Sequence, residues 1–395
     1  MKRISALLLA LLMLAALAAC GGNTDNPNNS DPALKTIKIG VYEPASGDNG
    51  AGGKQETLGI QYANSLTPTV EIGGETYKVE LVTVDNESST DKAASAANTL
   101  VAAGVSVVLG SYGSSVSIAA SDIFRDANIP VIGVTCTNPQ VTQGNTHYFR
   151  ICFLDPFQGT VLANFAADEF KATKAYVLAK LGDDYSVGLA NYFVAAFEAL
   201  GGEVRYETFP DGNSDFNSYI ANAKNFGAQV FFSPVSAEAA ANIIEQAPTQ
   251  GLTIPLLAGD TWDSNVITGA AQGKDVSIYV TTFYQEGGDP TFDAGIKAWI
   301  NGNATNLSNN NGNDMIAAVS AMGFDAYYVA LEALKAAGTT DSKAVNTALW
   351  NIQYDGVTGH IAFDEVGDAN RSEAVVKKAN TADGVWDFVA IQGIK

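Results

Sequence analysis

Between Gly104 and Pro139 the sequence runs Gly-Val-Ser-Val-Val-Leu-Gly-Ser-Tyr-Gly-Ser-Ser, then a helical segment, then Ile-Pro-Val-Ile-Gly-Val-Thr-Cys-Thr-Asn-Pro. Val105 to Leu109 is a short β-branched run closed by glycine, the pattern of a buried parallel strand. Val116, Ala119, Ile123 and Ala127 recur at three- and four-residue steps, which marks one face of a helix. Val131 to Val134 is a second strand. The unit is therefore β-α-β, and its strand ends carry Ser114, Ser115, Thr135 and Thr137. In open parallel sheets, ligands sit beyond the carboxyl ends of the strands. About 125 residues on, the pattern returns as Gly227-Ala-Gln-Val-Phe-Phe-Ser-Pro-Val-Ser, a helical run Glu238 to Ala247, and Ile254-Pro-Leu-Leu-Ala-Gly-Asp-Thr-Trp. Two such units, each with a polar edge, suggest a clam of two lobes with its site between them. Similar units recur throughout α/β proteins, so the repeat alone does not decide the matter.

The rest of the chain fits that frame. Thr36 to Val41 reads as a strand, Gln55 to Asn64 as a helix, Thr69 to Lys78 as a hairpin at Gly73-Gly74, and Asp91 to Ala103 as a helix stopped by Gly104. Past Phe149 to Phe153, Leu154-Asp155-Pro156 suggests a crossing into the second lobe. There, strands (Lys174 to Ala179, Val204 to Phe209) alternate with helices (Val187 to Leu200, Phe216 to Phe226), which argues for a parallel, doubly wound sheet. The chain recrosses after Ile278 to Thr282. Asn301 to Asp314 is asparagine-rich and reads as loop, Met315 to Ala336 and Asp341 to Asn351 as helices, and Ala374 to Ala379 and Trp386 to Ile391 as closing strands. The expected fold is α/β, with two doubly wound lobes joined by a three-crossing hinge: 34–154 plus 284–354, and 155–283 plus 355–395. A hinge of several crossings favours clam-like closure over free domain motion.

The start of the chain is specific. Lys2 and Arg3, the apolar run Ile4 to Leu17, and Leu17-Ala-Ala-Cys20 describe a secretory signal over 1–19, too short to span a bilayer. Cysteine directly after Leu-Ala-Ala resembles the bacterial lipobox, which implies lipidation of Cys20. Residues 20–33, with no apolar side chain larger than proline from Gly21 to Pro32, read as a flexible tether. The body is then soluble, held at the outer face of the cytoplasmic membrane by its lipid. Losing Lys2 and Arg3 takes the net charge from −20 to about −22. Nucleic acid is a poor partner in such a field. Two of the three cysteines, Cys136 and Cys152, lie in the body. Export permits a disulfide between them, and sequence leaves that pairing open. The only histidines, His147 and His360, stand in no nucleophile-elbow or metal-ligand spacing. No enzyme, cofactor or metal is expected.

The lipobox, Tyr42-Glu43-Pro44-Ala45-Ser46-Gly47, Gly323-Phe-Asp-Ala-Tyr-Tyr and Asp355-Gly-Val-Thr-Gly-His-Ile-Ala-Phe-Asp together resemble one family. It is the leucine/isoleucine/valine-binding type of extracellular solute-binding protein, the receptor component of ABC amino-acid importers. The resemblance runs from about Lys35 through the mature chain. It implies that Ser114 and Ser115 receive a ligand carboxylate, which suits the positive end of a helix; a serine there also serves as an ordinary N-cap. It implies further that the Thr135 carbonyl and Thr137 hydroxyl hold the α-ammonium, that Asp260 pairs with it, and that Tyr185 faces the cleft. A buried ammonium needs such acceptors and a counter-charge.

Two positions depart from the family pattern. Val235 replaces a tyrosine, and Gly52 stands where a wall aromatic is common, so both changes are expected to enlarge the pocket. Trp262, Tyr42 and Phe283 are candidate walls, and each suits an ordinary core position equally well. The resemblance implies a monomeric receptor for an apolar, branched-chain amino acid that delivers it to a membrane permease. Receptors for aromatic amino acids or small amides, or a binding partner of a sensor, are the alternatives. A sensor ectodomain proper would continue into a membrane helix, whereas this chain stops at Lys395.

Overall fold

The computed structural model describes residues 34–394; the signal segment, Cys20 and the tether lie outside the described residues. β1 (Lys35–Glu43), β2 (Thr69–Ile72), β3 (Glu75–Asp85), β4 (Val107–Leu109), β5 (Val131–Gly133) and β6 (Tyr148–Arg150) make one sheet, in the order β2-β3-β1-β4-β5-β6. β7 (Lys174–Lys180), β8 (Glu203–Phe209), β9 (Val230–Phe232), β10 (Leu256–Ala258) and β11 (Ile278–Thr282) belong to a second. β12 (Gln353–Gly356) and β13 (Gly359–Ala362) form a hairpin of their own. β14 (Ala374–Asn380) and β15 (Val385–Gln392) complete the second sheet, in the order β15-β14-β11-β10-β9-β7-β8. From β1 through β4 and β5 to β6, and from β8 to β11, neighbouring strands are parallel. β14 and β15 run antiparallel at one edge.

Alternation along the strands fixes the layers. Val107 and Leu109 enter the core on one face of the first sheet, and Val108 enters the core on the other. Tyr176 and Leu178 likewise face one side of the second sheet, with Ala175, Val177 and Ala179 on the opposite side. Side chains of successive strand residues point to opposite faces, so strands covered on both sides read as unbroken apolar runs. In the first lobe, the helices Gly50–Leu66 and Ala318–Ala337 touch backbone to backbone. A Cβ on Gly59 would stand 1.8 Å from the Ser320 carbonyl oxygen, and one on Gly323 would stand 2.3 Å from that of Glu56. Glycine alone permits this approach.

Chain crossings hold the lobes together. Phe153, just before the helix Asp155–Phe170, and Phe283, just after β11, pack with ring centroids 4.2 Å apart. Phe283 is therefore hinge packing rather than a wall of the cleft. The β12–β13 hairpin packs on the first lobe: Ile361 joins its core, and Asp325 accepts the amide hydrogens of Val357 and Thr358. The third crossing consequently falls after Ala362, later than the expected 354/355 boundary. The asparagine-rich stretch is also more ordered than expected. Asn303 caps a short helix, Ala304–Asn309, and Asn310 is fully buried. Its side chain accepts from Gln55 Nε2 of the first lobe, while Asn265 of the second lobe donates to the Asn310 carbonyl at 2.6 Å. Asparagine amides here do between elements what they usually do within turns.

Candidate ligand cleft

The carboxyl ends of strands from both sheets converge on one cavity of about 640 Å³, counting its open mouth. The first lobe supplies the loop after β4, the start of the helix Ser114–Asp126, and Thr135 after β5. The second lobe supplies Lys180 at the end of β7 and Tyr185 beyond it, Val235 and Ser236 after β9, and Asp260 and Thr261 after β10.

One wall of the cavity is a helix start. Gly113 precedes the helix Ser114–Asp126 and offers no side-chain cap. Ser114 is therefore the first helical residue and not an N-cap, and the opening amides of that helix remain for a guest. Ser114 Oγ accepts the Asn138 amide at 3.2 Å, which leaves its own hydrogen to donate. Ser115 Oγ takes the Asp184 amide at 2.9 Å, at the start of the second-lobe helix Asp184–Ala199. Ser115 thus bonds across the cleft in this closed arrangement. A second tie across the mouth joins Lys180 Nζ to Asp48 Oδ2 at 2.5 Å, and Lys180 also reaches Asp211 at 2.7 Å.

The opposite wall is acidic. Asp260 lines the cavity at 2% exposure, and Gln158 Nε2 and Tyr185 OH both donate to its Oδ1 at 3.0 Å. Both donors are neutral. Burial pushes the Asp260 carboxyl up to about 6 against those hydrogen bonds, so at neutral pH it is a carboxylate whose protein partners carry no charge. Behind it, Asp155 is buried beside Thr137, and burial lifts it to about 8.

The structure brings Ser114, Ser115, Thr135, Tyr185 and Asp260 together around this cavity. It does not bring the other expected residues there. Thr137 is wholly buried behind the wall, beside Asp155. Tyr42 is core, packed edge-on against Phe124, with its hydroxyl on the Val116 carbonyl at 3.2 Å. Trp262 is core too, and its Nε1 donates to the Val235 carbonyl at 3.1 Å. Each of these large rings lies on the core side of its strand or turn, so neither walls the cleft. Gly52 does not enlarge the pocket either. The Tyr112 ring fills that space, since a Cβ on Gly52 would meet it at 2.4 Å. Tyr112 is the wall aromatic, supplied from the loop instead of the helix. Sequence reasoning passed over Tyr112, Lys180 and Asp48; the signal available for Lys180 was a cation ending the apolar strand run 174–179.

Cys136 and Cys152 are buried free thiols. Burial raises Cys136 to about 11 and holds Cys152 well above the usual thiol range. Protein beginning after Cys20 should therefore show no thiol reactive toward Ellman's reagent while folded, and two after unfolding in guanidinium. Rapid labelling of folded protein would contradict this burial.

Residues 36–382 match the family model described as periplasmic binding protein. The Leu/Ile/Val-binding protein homolog 1 of Brucella abortus (strain 2308) is 32% identical over 391 residues, covering 95% of this chain and 97% of that protein. The crystal structure of the leucine-binding protein LivK from Thermotoga maritima MSB8 superposes with a TM-score of 0.79 at 32% identity, over 91% of this chain and 99% of that one. The isoleucine complex of LivJ from Streptococcus pneumoniae, at 24% identity and a TM-score of 0.77, shares the fold over 91% of this chain and all of that one. With a matching family model and relatives alike over nearly their whole lengths, the chain belongs to the periplasmic binding protein family, whose members bind solutes rather than transform them.

Proposed function

We propose that this chain is the extracytoplasmic, lipid-anchored receptor of an ABC importer, capturing a branched-chain amino acid between its lobes and delivering it to a membrane permease. One observation carries the reading: an uncapped helix start with Ser114 and a buried carboxylate, Asp260, face the same cavity. Such a site is dipolar in the sense a zwitterion requires, with donors and a helix dipole for the carboxylate and a counter-charge for the ammonium. The curated relative named for leucine, isoleucine and valine, and the solved structure named for leucine, support the same ligand class. Tyr112 standing over Gly52 limits the side-chain space, which favours leucine or valine over phenylalanine. Lipid on Cys20 and docking to a permease belong to the same proposal. Among the described residues no helix is long and apolar enough to cross a membrane.

The test is thermal unfolding of protein freed of bound ligand by unfolding and refolding, then titrated with single amino acids. A ligand at a thousandfold excess over its Kd adds about 4 kcal/mol to the folded state, a rise of several degrees in the midpoint. Leucine, isoleucine or valine should give it. Shifts with phenylalanine or tyrosine alone would replace the branched-chain reading with an aromatic one. No shift with any amino acid or small amide would remove it.

A further inference from the structure

The cleft rests on two acids that no part of the ligand-binding account uses. Glu43 ends β1, and Glu56 lies within the helix Gly50–Leu66; both are buried, at 1% and 0% exposure. The two carboxyls are close enough to perturb each other, and each has its Oε1 fully buried with no hydrogen-bond partner. Two carboxylates have no hydrogen to share, so such a contact needs one proton held between them. The outer oxygens then reach in opposite directions. Glu43 Oε2 accepts the Tyr112 amide at 2.6 Å, in the loop that leads into Ser114. Glu56 Oε2 accepts the Thr135 hydroxyl at 2.5 Å, in the loop after β5.

We propose that Glu43 and Glu56 are positioning residues: one carboxyl–carboxylate pair, holding a single proton, that ties the carboxylate-receiving loop to the ammonium-receiving loop. The roles given to the two loops rest on the amino-acid reading above. The geometry sets the order of the chain of bonds, Tyr112 amide to Glu43, Glu43 to Glu56, and Thr135 hydroxyl to Glu56. Burial, the largest cause for both, pushes each carboxyl up, and the neighbouring Glu56 pushes Glu43 up further. The titratable groups around the pair are Tyr42 on β1, Tyr112, Cys136, Tyr148 on β6, and Asp260 across the cleft. None of these is a cation, so none of them neutralises a second negative charge. Gly110 completes the fit, because a Cβ there would stand 2.5 Å from Glu43 Oε1.

The test compares Glu43→Gln with Glu43→Ala, using leucine as the probe ligand. Glutamine keeps an acceptor for the Tyr112 amide and a donor for Glu56 without charge; alanine keeps neither. Leucine affinity in Glu43→Gln should stay within about threefold of the parent, and in Glu43→Ala should fall about tenfold or more, the scale of a buried partner left unsatisfied. Ligand-free protein gives an independent reading. Amide exchange at Tyr112 should be unchanged in the glutamine variant and about tenfold faster in the alanine variant. The infrared band of one protonated carboxyl at neutral pH should disappear in Glu43→Gln. If the glutamine variant is as impaired as the alanine variant, if alanine leaves Tyr112 exchange unchanged, or if no band is lost, the pair does not hold the loops. Parent protein that ignores leucine while Tyr112 exchange and the band behave as described would remove the leucine reading and still support the pair.

Discussion

Asp260→Asn should lower affinity for the amino-acid ligand by thirtyfold or more while leaving the ligand-free fold at least as stable as the parent. The size follows from what Asp260 lacks. Its hydrogen-bond donors, Gln158 and Tyr185, are neutral, so on the proposed reading the ligand ammonium is the charge that completes it. Removing one partner of a buried, hydrogen-bonded charge pair costs about 2–5 kcal/mol. Asparagine keeps an oxygen for both donors and a matching shape, which separates loss of charge from loss of packing. The stability half of the expectation has a definite sign. Burial lifts the folded carboxyl from 3.8 to about 6, so between those values the folded state holds a proton that the unfolded chain has released. Stability from this group is therefore present below pH 4 and declines as pH rises through about 6. The asparagine variant escapes that decline. Binding runs the other way: only the ionised carboxylate holds an ammonium, so parent affinity should weaken as pH falls through about 6, and the variant should lack that limb. Calorimetric titration with leucine, alongside thermal unfolding of ligand-free protein, reads both. Equal leucine affinity in parent and variant would detach Asp260 from the ammonium.

What the sequence made legible was whatever depends on local pattern. The strands 107–109 and 131–133 stand inside the expected ranges, and the helix 114–126 carries most of the expected apolar face, because β-branched runs, three- and four-residue apolar spacing and Pro130 act over a few residues. The residues around the cavity were reachable by the same route, since strand ends in parallel sheets place their polar residues together. The failures concern contacts between distant segments. Whether Tyr42 or Trp262 faces the cleft or the core depends on which side of a strand or turn each falls, and a single aromatic does not reveal that. Gly52 was read as vacant space because its neighbour Tyr112 lies 60 positions away in sequence. Asn310 reads as loop until Gln55 and Asn265 supply its partners. The acid pair runs against the usual rule that acids stay outside. One hint did exist: Gly52, Glu56 and Gly59 fall on a single helical face, so the only acid of that helix lies on the face that its glycines bring close to other groups.

Arg150→Met should cost about 3–5 kcal/mol of folding free energy, the toll of breaking a buried ion pair from one side. Arg150 is fully buried, and its Nε meets Asp368 Oδ1 at 2.7 Å. The same guanidinium donates to the carbonyls of Cys136 and Asn138 and to the Thr142 hydroxyl. It therefore satisfies the inner side of the loop whose outer side presents Thr135 to the cleft. Methionine would leave Asp368 buried without its cation and the Cys136 carbonyl unpaired, with only the Val141 amide left on the Asn138 carbonyl. Urea unfolding of ligand-free protein measures the loss, and a variant within about 1 kcal/mol of the parent would show that the network is not holding the fold. A second substitution separates charge from loop geometry. Adding Asp368→Asn removes the stranded carboxylate and should recover part of the stability, because deleting both partners costs less than deleting one. It returns no donor to the Cys136 and Asn138 carbonyls. Leucine affinity should consequently remain reduced in the double variant, and full recovery of binding along with stability would mean that Arg150 serves the fold alone and not the loop beside the ligand.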